Sequence, residues 1–135
     1  MQKKDKALVG NEKVEEEIVK LKTDFSEERL AAVLTAIRMR MNDKGQFVVA
    51  VDALGSNTNL TLKTANFESK KWFVAYSSFE EEMKGNIDVM SGFLADISEL
   101  FNMTLKSPEV EGIILNPFGN MITLNKNIIN VILEK

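Results

Sequence analysis

The spacing of apolar residues changes period repeatedly along this chain, and that alternation decides its fold class. Val14, Ile18 and Leu21 fall at i, i+4 and i+7, with Glu15, Glu16 and Lys20 outside the stripe, as on a one-sided helix. Thr23-Asp24-Phe25-Ser26 ends it and opens a second helix. Ser26 suits the N-cap, Phe25 and Leu30 take the two positions of a hydrophobic staple, and Leu30, Val33, Leu34, Ile37 and Met41 carry the apolar face. Past Asn42-Asp43-Lys44-Gly45 the period collapses. Residues 47–51 and 72–76 are unbroken apolar runs, which suit strands covered on both faces, and residues 60–63 alternate as a half-exposed strand does. Ser78-Phe79-Glu80-Glu81 has the spacing of a capping box, so a short helix is expected to end near Gly85, with a brief strand at 87–90. Phe93, Leu94, Ile97, Leu100 and Phe101 restore helical spacing. Strands at 112–115 and 121–124 flank Asn116-Pro117-Phe118-Gly119, whose Pro at i+1 and Gly at i+3 fit a type I turn. Asn125 caps a last helix bearing Ile128, Ile129, Ile132 and Leu133.

The order ααβββαβαββα predicts an α+β fold, a mixed β-sheet with packed helices. The helix from Phe93 is long enough to serve as a crossover between parallel strands. At 135 residues one domain is expected, 11–135, after a Lys-rich flexible tail at 1–10. Val49, Trp72, Val74, Ile97, Ile114 and Ile132 are expected to share one core.

Two absences bound the chemistry: the chain has no Cys and no His. Thiolate nucleophiles, thiolate metal sites and imidazole proton transfer are thereby removed, and zinc, copper and haem sites become poor expectations. No metal or cofactor is expected. A net charge of −3 builds no basic field for nucleic acid. Apolar runs such as 47–51 are far shorter than the roughly 20 residues a membrane helix needs. Neither nucleic acid nor membrane is expected as a partner, and the chain reads as cytoplasmic.

The sequence Trp72-Phe73-Val74-Ala75-Tyr76-Ser77-Ser78-Phe79-Glu80-Glu81, followed by Gly112-Ile113-Ile114-Leu115-Asn116-Pro117-Phe118-Gly119, resembles the N-terminal domain of the SseB family, named for enhanced serine sensitivity. The family order is a strand entering a Phe-Thr-Ser turn and acidic helix, then a strand ending in Asn-Pro and a closing helix. Residues 30–41 leading into 47–51 resemble its first half. This chain departs from the pattern at Tyr76-Ser77-Ser78, which lacks the threonine, and at Ala50, where a proline is usual. The resemblance implies a fold for 11–135 but brings no settled activity. It implies a non-catalytic protein-interaction or regulatory module binding another protein, with self-association also open. The alternative is a domain binding a small ligand, an amino acid or related metabolite.

Ser77 and Ser78 sit where a nucleophile could sit at a strand exit, but without His the base would be Lys or a carboxylate. Ser78 already has a structural role as helix cap. Glu80, Glu81 and Glu82 point to different sides of a helix and suit its N-terminal dipole better than a metal. Phe118 places a large apolar side chain at a turn, where partners find anchors. The expected docking surface joins Tyr76, Ser77, Ser78 and Phe79 to Asn116, Pro117, Phe118 and Gly119, with Tyr76, Phe79 and Phe118 as aromatic area and Glu80, Glu81 and Glu82 as an acidic rim. It requires residues 72–76 and 113–115 to run parallel, so that both strands exit on one edge.

Overall fold

The computed structural model describes residues 8–52, 61–84 and 91–134. Helices α1 (Asn11–Thr23) and α2 (Glu27–Asn42) come first. Four strands follow: β1 (Gln46–Asp52), β2 (Thr61–Leu62), β3 (Thr64–Phe67) and β4 (Lys70–Tyr76). Then come α3 (Phe79–Met83), β5 (Ser91–Asp96), α4 (Ile97–Leu105), β6 (Gly112–Leu115), β7 (Ile122–Asn125) and α5 (Lys126–Leu133). The architecture is α+β, as the apolar periods imply. No helix among the described residues is long and apolar enough to cross a membrane.

The sheet has seven strands and is mixed. β1 pairs antiparallel with β5 along six residue pairs, from Gln46↔Asp96 to Val51↔Ser91. On its other edge β1 meets antiparallel β4 at Val48↔Tyr76 and Val49↔Ala75, and β2 at Val51↔Leu62. β2 and β3 fill the wedge where β1 and β4 part. Lys63 stands at its apex, donating to Ala50 O at 2.9 Å and accepting from Val74 N at 3.1 Å. β4 runs parallel to β6, Trp72↔Gly112 through Ala75↔Leu115, and β6 pairs antiparallel with β7. The close β6–β7 approach demands glycine: a Cβ at Gly112 would lie 2.1 Å from Leu124 O.

Strand alternation splits the core in two. On one face Phe47, Val49, Phe73, Ala75, Ile113, Leu115 and Leu124 pack against α1, α2, α4 and α5 through Val14, Ile18, Ile37, Ile97, Phe101, Ile129 and Ile132. On the other, Val48, Ala50, Trp72, Val74, Tyr76 and Ile114 form a second cluster with Leu8. The expectation of one shared core for Val49, Trp72, Val74, Ile97, Ile114 and Ile132 is therefore corrected. Val49, Ile97 and Ile132 lie on the helical side, and Trp72, Val74 and Ile114 lie opposite, because neighbouring strand residues point to opposite faces. Leu8 is buried, so order begins ahead of residue 11; residues 1–7 of the expected tail lie outside the described residues.

The helix caps follow the sequence closely. Ser26, Ser78 and Asn125 accept from Arg29 N, Glu81 N and Ile128 N at 3.1, 3.1 and 2.8 Å. Arg38 joins α2 to α5, donating to Val131 O and Ile132 O at the negative end of the helix dipole. The staple does not close, since Phe25 is 77% exposed.

Two elements differ from the sequence reading. Phe93 and Leu94 belong to β5 rather than to a helix, because pairing with β1 carries the strand to Asp96 and α4 starts only at Ile97. The strand expected at 87–90 and the turn at 55–57 lie outside the described residues. β3 is additional, and it joins β4 through Glu68 and Ser69, both at positive φ (53° and 67°). That is the backbone of a hairpin turn that Asn-Gly usually marks, and Glu-Ser gives no such signal.

Candidate functional site

Parallel pairing of β4 and β6 brings both strand exits to one edge, and Asn116 ties them together. Asn116 N donates to Ala75 O at 2.9 Å, the last backbone rung. Its backbone then turns away at φ 57°, a left-handed conformation that Asn tolerates better than most residues. The side chain continues the ladder where the backbone leaves it. Oδ1 accepts from Ser77 N at 2.9 Å and Nδ2 donates to Ser77 Oγ at 3.0 Å. Gly119 N closes the turn onto Asn116 O at 3.1 Å, the i to i+3 bond expected of Asn-Pro-Phe-Gly.

The same knot fastens α1 to the edge. Ser77 Oγ donates to Glu15, and Ser77 O accepts from Asn11 Nδ2 at 3.0 Å. Asn11 Nδ2 also donates to Gln46 O at 2.9 Å, and Arg40 Nε donates to Asn11 Oδ1 at 2.8 Å. Ser77 is wholly buried, Asn116 and Asn11 are 1% exposed, and the polar atoms of the knot are paired. Satisfied buried polar groups of this kind fix a unique geometry. Ser77 does face a carboxylate, but its buried hydroxyl is held between Glu15 and Asn116, which gives it a structural role. Ser78 Oγ is spent on capping α3.

Around this base the side chains divide into buried and open. Tyr76, Ser77 and Asn116, expected on the surface, are buried, Tyr76 at 2% exposure. Each points into the sheet or across to the neighbouring strand. Phe118 is 50% exposed and Phe79 40%, with Gly119 also open and Ser78 and Pro117 half-buried. The Phe118 ring stacks on Tyr76, centroids 6.5 Å apart and planes 23° apart. The exit surface thus rests on a buried tyrosine instead of displaying it.

The acidic rim is corrected too. Only Glu80 is exposed; Glu81 and Glu82 turn inward at 9% and 7% exposure. Glu81 Oε2 pairs with Lys84 Nζ at 2.6 Å, while its Oε1 is buried with no hydrogen-bond partner. That oxygen lies against the turn: a Cβ at Gly119 would sit 2.3 Å from it, so glycine permits the approach of turn and helix. Glu82 Oε2 is likewise buried and unpartnered, and burial raises the Glu82 pKa above its usual value. Burial, followed by the nearby Glu82 charge, pushes the Tyr76 phenol up to about 12. Among the described residues no group of three acidic side chains gathers to hold a metal ion.

Sequence reasoning missed Asn11, Glu15 and Arg40, which approach the edge from two helices. The Asn opening α1 beside a glutamate was the available signal. A cavity of about 230 Å³ lined by Pro108, Val110, Glu111, Asn125, Lys126 and Asn127 lies at the other end of β6. It falls below the roughly 300–1,000 Å³ of ordinary small-molecule pockets. No family model, curated protein or solved structure matches the chain.

Proposed function

We propose that this chain is a non-catalytic interaction module of SseB type that docks another protein on the edge where β4 and β6 exit. The observation carrying this reading is the contrast at the Asn116-Pro117-Phe118-Gly119 turn. Its base is locked by the Asn116–Ser77 bonds, while its tip holds Phe118 half-exposed over Tyr76. A rigid base under an open aromatic suits a docking anchor, because little order is lost on binding. Phe79 and Met83, 40% and 72% exposed and one helical turn apart on α3, extend the apolar area. The encounter takes place in the cytoplasm on this reading, in keeping with a chain free of cysteine.

Quantitative co-purification from the native host tests it, comparing the natural chain with Phe118→Ala. The expected result is loss of a stoichiometric partner with thermal stability nearly unchanged. A partner retained in full by the variant, or a large stability loss marking Phe118 as core, contradicts the reading.

A further inference from the structure

Glu82 is the least expected group on this surface. It is 7% exposed, and its Oε2 is buried with no hydrogen-bond partner. Glu81, beside it, leaves Oε1 equally bare. A buried carboxylate oxygen without a donor is costly, and folded chains keep few of them. Both belong to the exit edge. Glu81 abuts Gly119, and Glu82 is close enough to Tyr76 to raise its phenol, with Tyr76 stacked under Phe118.

We infer that the exit edge receives a cationic side chain, arginine above all, presented on a basic and apolar segment of the partner. This rests on the docking reading above and adds the partner's chemistry. Charge complementarity supports it: α3 and its cap carry Glu80, Glu81 and Glu82 against the single Lys84. Arginine suits the site on two counts. Its planar fork supplies several donors to a carboxylate, and its face stacks on aromatic rings such as Phe118. Phe79, Met83 and Phe118 would bury the apolar flanks of the same segment. Because Glu81 Oε1 lies against Gly119, a group reaching that oxygen must shift the turn tip there, while Asn116 holds the base. Binding supplies a donor to an oxygen that lacks one in the free chain, so the arginine gains more here than at an exposed glutamate.

The test is fluorescence anisotropy of the whole chain with three labelled eight-residue probes: arginine alternating with leucine, glutamate with leucine, and arginine with serine. The arginine–leucine probe is expected to bind about tenfold or more tighter than either other probe. Glu82→Gln and Phe118→Ala should each remove about tenfold of that affinity, whereas Phe25→Ala, on the α1–α2 turn, should leave it intact. Circular dichroism shows that each variant is folded, and Glu81→Gln gives a second isosteric readout. If the glutamate–leucine probe binds as well and still depends on Phe118, the cationic inference fails and the docking reading stands. Binding indifferent to both Phe118→Ala and Glu82→Gln, or no binding by any probe, also overturns the inference. In those cases the docking reading is judged by its own co-purification test.

Discussion

Replacing Asn116 with glycine removes its side chain while leaving a residue at ease at φ 57°, so the exchange isolates the knot from backbone strain. Two buried hydrogen bonds are lost, from Ser77 N at 2.9 Å and to Ser77 Oγ at 3.0 Å. Each contributes about 0.5–1.5 kcal/mol net, and the stranded Ser77 N–H adds desolvation of about 1–3 kcal/mol where no water replaces the amide. Allowing for overlap between these terms, the expected loss is about 2–4 kcal/mol. For a chain of 135 residues that is a fall in Tm of roughly 7–14 °C. Asn116→Ala should cost about 1 kcal/mol more, because a Cβ without a polar end is disfavoured in the left-handed region. Thermal melts and urea titrations of both variants measure this. A loss below about 1 kcal/mol for glycine, or alanine milder than glycine, would show that the Asn116 side chain does not hold Ser77, since buried unpaired amides are not that cheap.

Ser78→Ala should cost about 1 kcal/mol through the lost cap on α3, measured by urea unfolding, and leave the Asn116 knot intact. The Glu82 pKa is raised in the folded chain, so folding favours its protonated form and stability falls as pH rises from the usual 4.5 through the folded value. Glu82→Gln should therefore be more stable than the natural chain at neutral pH, with the difference vanishing in acid; thermal melts across pH check it. Glu17 is the opposite case, lowered chiefly by its hydrogen bond from Lys13. Its contribution is present above 4.5 and lost as pH falls through the folded value, so Glu17→Gln should destabilise only at higher pH, and less in high salt.

Much of the fold was legible because local signals and tertiary structure agree. Ser26, Ser78 and Asn125 cap the helices their positions announce, and the unbroken runs at 47–51 and 72–76 became strands, with residues 47–50 and 72–76 buried on both faces. Where they disagree, pairing prevailed. Phe93, Leu94 and Ile97 fit a helix by spacing, yet six rungs to β1 hold the first two in a strand. The candidate site was half legible. A shared edge for both exits was conditional on residues 72–76 and 113–115 running parallel, as β4 and β6 do, and Phe118 is open as a turn residue should be. Inward rotation of Glu81 and Glu82 could not be read, because it depends on where the β6–β7 turn meets α3 across 38 residues of sequence, from Glu81 to Gly119. Asn116 as a rung of the ladder was hidden for the same reason: its partner Ser77 lies 39 residues away.

The most direct test of the docking edge places a photo-crosslinking phenylalanine analogue at position 118 in the native host. A parallel sample carries it at position 25, where Phe25 is 77% exposed. One discrete adduct is expected from position 118, weakened by Glu82→Gln, and none from position 25. Equal adducts from both positions, or an adduct from position 25 alone, would contradict docking at this edge.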